Sequence, residues 1–262
     1  MEISRFDHPQ GLEEAYGLIV EQKGLPVAGG GWLHLGTRKI ELAVDLSGCG
    51  LRYVVHSGDI VEIGAMATLR DLETSPVLEA AFGRLFSAAL GHIVGVQLRN
   101  VVTAGGTVAG KYGFSDLNTV LLALDAKVVM HGSHAVDMAS FLSAPRDIPF
   151  LLEKIIIPTK ARAAFESLRI ANNDFAVLNA CASSREGSWR LAVGSRPASA
   201  RLCPGAAAVL EKSDQIDEAA ARRAGEMAAN ELSFGDDTRG SAGYRKSLCA
   251  VLVRRAILEA CR

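Results

Sequence analysis

The stretch TAGGTVAGKYGFSDLN, Thr103 to Asn118, places hydroxyls, a glycine pair and a carboxylate close together. Gly105 and Gly106 lack a Cβ, so the backbone there has access to φ > 0 and a ligand can come close to its N–H groups. Thr103 and Thr107 flank the pair with hydroxyls able to donate to phosphate oxygens, and Asp116 and Asn118 follow in a turn-like segment. The spacing is neither GxGxxG nor a phosphate loop ending in GK[ST], so neither of those mechanisms applies as it stands. A second glycine run lies upstream, Leu25-Pro26-Val27-Ala28-Gly29-Gly30-Gly31. Two such loops could hold one pyrophosphate from two sides through a nest of backbone N–H groups, which points to a nucleotide site; the other reading is two ordinary turns, the second feeding a core helix.

Local anion recognition also suits the charge balance. The 262 residues carry 28 basic and 29 acidic side chains, a formal net charge of −1, and so no global field to draw nucleic acid or an anionic membrane. MEISRFDHPQGLEE at the N-terminus has acidic residues and no apolar h-region of a secretory signal. Leu85 to Leu98 is short for a membrane span and is interrupted by His92 and Gln97. A soluble, cytoplasmic protein is the expectation. Cys49, Cys181, Cys203, Cys249 and Cys261 show no C-x-x-C spacing, so buried thiols are expected and the clustered ligands of an iron–sulfur centre are not in this sequence.

The elements that carry these loops read as follows. Glu2 to Phe6 forms a short edge strand; Leu12, Ala15, Tyr16 and Ile19 share one face of a first helix, which Gly24 ends; Leu25 to Ala28 is a strand entering the first glycine loop. Strands over Lys39 to Leu46, Leu51 to Ser57 and Ile60 to Ala65 follow. Thr68 and Asp71 stand at capping-box positions, and Ser75-Pro76 opens a helix running to Phe86. Leu117 to Leu124 reads as a buried helix, Met130 to Pro149 as irregular, and Leu152 to Ile157 as a strand stopped by Pro158. Phe175 to Arg196 makes a hairpin turning at Arg185-Glu186-Gly187-Ser188. Asp217 to Leu232 is an alanine-rich helix, and Ser241 caps a last one with Tyr244, Leu248, Val251, Leu252 and Ile257 on its apolar side. Ser233 to Gly240 reads as a disordered loop, Lys111 as a solvated loop lysine with an approach to phosphate as the other reading, and His34, near the first loop, as a surface or core histidine.

PVAGGG, VEIGAMATLRDL and RNVVTAGGTVAG…SDLNTVLLALDA, with AAFESLRIANNDFAVL, WRLAVGSRP and GSAGYRKSLCAVLVRRA, give a resemblance through almost the whole chain. It resembles the FAD-binding medium subunit, or domain, of the molybdenum hydroxylases, which include xanthine dehydrogenase and the carbon monoxide dehydrogenase flavoprotein. The resemblance implies an α+β chain: a two-lobed α/β FAD-binding domain of the PCMH (vanillyl-alcohol oxidase-like) type over residues 1–160, with lobes of about 1–60 and 61–160. A smaller domain of antiparallel strands and helices, 161–262, would follow. FAD would lie between the lobes on Val27, Ala28, Gly29, Gly30, Gly31, Trp32 and Leu33, and on Thr103, Gly105, Gly106 and Thr107. Asp116 would contact the sugar region, with capping of the Leu117 helix by Ser115-Asp116 as the other reading, and Leu152 would lie near the isoalloxazine ring, with an ordinary core strand residue as the other reading. Molybdenum cofactor and 2Fe-2S clusters would sit on a large and a small partner subunit, and NAD⁺ or another acceptor would take the electrons.

The chain departs from the family's pattern at several of these places. Trp32 either stacks on a ring or packs, Thr107 and Gly110 stand where Asn is common, Lys111-Tyr112-Gly113 replaces Ala-Ser-Pro, and Ser167 replaces a lysine that faces the cofactor. Two other readings remain open: a stand-alone flavoprotein like UDP-N-acetylenolpyruvoylglucosamine reductase, and an assembly subunit that has lost FAD.

Overall fold

The computed structural model describes residues 1–33, 36–146 and 148–262. The N-terminal part starts with β1 (Glu2–Asp7), α1 (Leu12–Val20), β2 (Leu25–Val27) and β3 (Lys39–Asp45), and these strands form a parallel sheet in the order β1-β3-β2. α1 ends at Val20 and the left-handed residue after it is Lys23 (φ 57°), not Gly24 as the sequence suggests. Gly24 is needed for space instead: a Cβ there would lie 2.6 Å from Val44 and 2.8 Å from the Leu18 carbonyl.

The second lobe comprises β4 (Val54–Ser57), β5 (Ile60–Gly64), α2 (Leu69–Glu73), α3 (Pro76–Phe82), α4 (Leu85–Leu90), α5 (Val96–Val101), α6 (Ala104–Gly110) and α7 (Asp116–Ala123), then β6 (Lys127–Met130), β7 (Val136–Asp137), α8 (Met138–Ser143) and β8 (Leu152–Pro158). Its strands make an antiparallel sheet in the order β4-β5-β8-β6-β7. The Thr68 capping box forms in full: Thr68 Oγ1 accepts from Asp71 N (3.0 Å) and Asp71 Oδ2 accepts from Thr68 N (2.9 Å). The helix opened by Pro76 stops at Phe82, because Gly83 turns to φ 59°, and a separate helix resumes at Leu85. The segment read as irregular holds β7 and α8, with Met138, Phe141 and Leu142 buried. α7 is buried on every side, Leu117 to Ala123 included.

The last part is β9 (Arg162–Leu168), β10 (Leu178–Arg185), β11 (Ser188–Gly194), β12 (Arg201–Leu202), α9 (Pro204–Glu211), α10 (Glu218–Glu231) and α11 (Ala242–Ala260), with the strands antiparallel in the order β12-β11-β10-β9. This sheet has two buried faces. Ala180, Ala182, Leu191 and Val193 pack with α9 to α11 in one core, while Cys181 and Ala192 join the core built on α7 and the second lobe.

The buried face of α11 is offset from the sequence reading. Tyr244 and Val251 are exposed, whereas Arg245, Cys249, Leu252, Val253, Ala256, Ile257 and Ala260 are buried. Arg245 is wholly buried, and its guanidinium donates to the carbonyls of Val177 (2.9 Å), Gly235 (2.7 Å) and Gly240 and to Asp237. Those bonds, with Arg196 donating to the Ser233 carbonyl (2.6 Å), order the loop read as disordered. Cys49, Cys181, Cys203 and Cys249 are buried, all five thiols are unpaired, and burial raises the Cys249 thiol to about 12.

Candidate functional site

The two glycine runs come together, but by different local structures. The first is a true turn: β2 ends at Val27, whose carbonyl accepts from Leu46 N (3.0 Å), and Gly30 takes φ 68°. It lies on the end of α5, where a Cβ at Gly29 would sit 1.4 Å from the Val101 carbonyl oxygen and one at Gly31 2.6 Å from Val102 Cγ2. Only glycine permits that approach.

The second run is not a positive-φ loop. Thr103 caps α6, and Gly105 and Gly106 are helical. Its N–H groups are taken by the protein: Ala104 N donates to Ala67 O (2.8 Å), Gly105 N to Ala65 O (2.8 Å), Thr107 N to Thr103 O (3.0 Å), and Gly106 N to Thr103 Oγ1 (3.2 Å). The Thr107 hydroxyl donates to Thr103 O (2.8 Å). The nest expected here is therefore absent, since each of these donors already has an acceptor. The run shapes the site instead, because a Cβ at Gly105 would meet Ala65 Cβ at 2.7 Å. In the first run, among the described residues, no backbone carbonyl accepts from the N–H of Gly29 or Gly31.

Between the runs lies a cavity of about 830 Å³, inside the size range of small-molecule and cofactor sites. Ala28, Gly29, Gly30, Gly31, Trp32, Leu33, Thr103, Gly105, Gly106 and Leu152 line it. Val27, Thr107 and Asp116 do not. Sequence reading missed the apolar wall of Ile19, Val20, Met66, Val101, Val102, Tyr112 and Phe150, which comes from elements far apart in the chain. It also missed the charge. Among the described residues, the charged side chains of the lining are Lys23, Arg38 and Arg146, all cations. A chain of nearly zero net charge thus presents a locally positive cavity.

Asp116 belongs to the interior. It is 1% exposed, and its oxygens accept from Arg169 (3.0 Å) and Asn179 (2.6 Å), which bonds in turn to Ser195 and Thr119. Burial pushes its pKa up, against the pull of Arg169 and Asn179. Both oxygens are engaged by the last part of the chain, so contact with a ligand's sugar is not what the geometry offers. Thr107 and Asp116 line a separate void of about 30 Å³.

Trp32 lies between the two spaces and packs: its ring is 5.3 Å from Phe114, 5.7 Å from Phe175 and 5.9 Å from Tyr112. Ser167 pairs with Asn179 across β9 and β10 and does not line the cavity. Lys111, read as solvated, is 2% exposed. His34 falls outside the described residues.

Glycine runs on one largely apolar cavity whose described charged residues are cations suit a dinucleotide, and comparison with known proteins agrees. Residues 3–160 match the family described as the FAD binding domain in molybdopterin dehydrogenase, and residues 163–260 match the CO dehydrogenase flavoprotein C-terminal domain. The chain belongs to that family: it is an FAD-binding oxidoreductase subunit of the molybdenum hydroxylases. It is 29% identical to the nicotine 6-hydroxylase medium subunit of Paenarthrobacter nicotinovorans, over 98% of this chain and 96% of that protein. It is 25% identical to the carbon monoxide dehydrogenase medium chain of Hydrogenophaga pseudoflava, over 79% and 77%. In fold it is similar to quinoline 2-oxidoreductase from Pseudomonas putida 86, with a TM-score of 0.89, 24% identity and coverage of 99% and 97%. Among the described residues no helix is long and apolar enough to cross a membrane, and no group of side chains could hold a metal ion.

Proposed function

We propose that this chain is the FAD-carrying electron-transfer subunit of a molybdenum hydroxylase, set between a large molybdenum-binding subunit and a small 2Fe-2S subunit. The single observation that carries the reading is the glycine-walled cavity whose charged lining, among the described residues, is cationic. FAD, when bound, supplies the redox chemistry, taking electrons from the partner's clusters and passing them to NAD⁺ or another acceptor.

The residues of this chain bind and orient. Gly29 and Gly31 offer N–H groups to phosphate, Gly105 lets the second run approach closely, and Leu152 with Met66 and Val102 supplies apolar surface that excludes water. Val27 and Thr107 act from behind the wall as support. In this reading residues 1–160 hold the cofactor, and 161–262 close the second lobe through the Asp116–Arg169–Asn179 bonds. The five unpaired thiols suit a cytoplasmic setting.

The test is co-expression with the two candidate partner chains and purification through a tag on this one. The reading expects molybdenum, iron and FAD to elute together near stoichiometry. A chain that elutes alone with bound FAD and reduces an acceptor unaided would instead identify a self-sufficient flavoprotein.

A further inference from the structure

We propose that Arg146, held in place by the buried Lys111, binds the phosphate groups of the dinucleotide; the inference rests on the FAD reading above. Four observations point there. The N–H groups of the second glycine run are committed to protein acceptors, so the ligand's negative charge falls to the first run and to side chains. Arg146 lines the cavity and is exposed at its edge.

Lys111 follows Gly110 and precedes Tyr112, both cavity residues, yet its own side chain turns inward. Its Nζ donates to the carbonyls of Ala144 (2.7 Å) and Pro145 (3.4 Å) and lies 4.6 Å over the Phe141 ring. Arg146 Nη2 completes the latch by donating to the Lys111 carbonyl (3.0 Å). The segment carrying Arg146 is thereby tied to the end of the second glycine run. The lysine ends α6 as its C-cap in the left-handed region (φ 45°), which turns the chain out of the helix at the latch.

Neither cation has a carboxylate partner among the described residues. Burial, and then the neighbouring charge of Arg146, lower the pKa of Lys111. A phosphate in the cavity would supply these two cations with a counter-ion that the described residues do not. A guanidinium has five N–H donors in a planar fork suited to phosphate, and Arg146 spends one on Lys111.

Calorimetric titration of the full chain with FAD, FMN, riboflavin and ADP at low salt tests this. Arg146→Ala should weaken FAD and ADP about 10-fold, the scale of one charged hydrogen-bonding contact, and leave riboflavin unchanged. Being exposed, Arg146 can be replaced without disturbing the core. Lys111→Met should cost FAD affinity by itself and add nothing in the Arg146→Ala background, a coupling that a merely structural lysine would not show. Equal FAD affinity in wild type and Arg146→Ala, or an equal loss for riboflavin, overturns the proposal while the FAD reading stands. Arg146-dependent binding of ADP without any binding of FAD or riboflavin sinks the FAD reading and keeps the phosphate site. No binding of any of the four to the wild type removes both.

Discussion

At the scale of single residues, the two members of one glycine pair have different reasons to be glycine. At Gly105 an added Cβ meets Ala65 Cβ at 2.7 Å and Ala65 O at 2.8 Å, while at Gly106 the one close atom is Thr103 Oγ1 at 3.0 Å. Gly105→Ala should therefore destabilise by roughly 1–3 kcal/mol, as overpacking does, and more than Gly106→Ala, which gains helix propensity. Thermal melts of the two variants check the order. Asp116 gives a second residue-scale prediction. Asp116→Ala leaves Arg169 buried without its carboxylate, at a cost of roughly 3–5 kcal/mol in urea unfolding, and Asp116→Asn costs less because it keeps an acceptor.

The same residues show what a sequence displays and what it hides. The presence of a glycine pair is plain from composition, but its helical conformation depends on Ala65 and Ala67, which are distant in the chain. Lys111 looks solvated beside Gly110 and Tyr112, and only the arrival of Ala144, Pro145 and Phe141 buries it.

At the scale of elements, local rules succeed where the partners are neighbours in sequence. The Thr68–Asp71 box, the Ser241 cap on Tyr244 N and the hairpin turning at Glu186-Gly187 all form from the residues that foretell them. Periodicity misjudges α11 by placing Tyr244 inside and overlooking Arg245, because a helical wheel cannot show the carbonyls that await a guanidinium. Arg245→Met should release residues 233–240 and make that loop the first site of limited proteolysis.

One contact between elements is sensitive to pH. His131, after β6, bonds through Nδ1 to Glu153 on β8 and through Nε2 to Glu13 on α1, and its ring rests 5.1 Å from Tyr16. Both ring nitrogens can donate only in the imidazolium, and the bond to Glu153, followed by that to Glu13, raises the histidine's pKa. A raised folded-state pKa gives stability that is fully present below the unfolded value of about 6.5 and lost as pH rises through the higher folded value. The melting temperature of the wild type should therefore fall, relative to that of His131→Gln, as pH rises above about 6.5. Parallel pH curves for the two proteins would show that the clasp between α1 and β8 contributes nothing.

At the scale of the molecule, three sheets and one buried helix produce a single consequence. The parallel sheet brings Gly29 to Gly31 onto α5, the antiparallel sheet brings Leu152 and the α6 glycines to the same space, and the last sheet grips α7 from behind through Asn179 and Arg169. The order of motifs along the chain already implied this frame and its cofactor. The cationic lining was not legible, because Lys23 and Arg38 come from the first lobe and Arg146 from the second, and only the folded chain sets all three on one cavity.

That a cavity with this lining holds FAD is tested most directly by loading the purified chain with excess FAD, removing the free cofactor by gel filtration and recording the visible spectrum. The oxidised-flavin band should remain, at close to one FAD per chain, and should weaken in Arg146→Ala. A folded, colourless chain, both alone and in complex with its co-expressed partners, would contradict it.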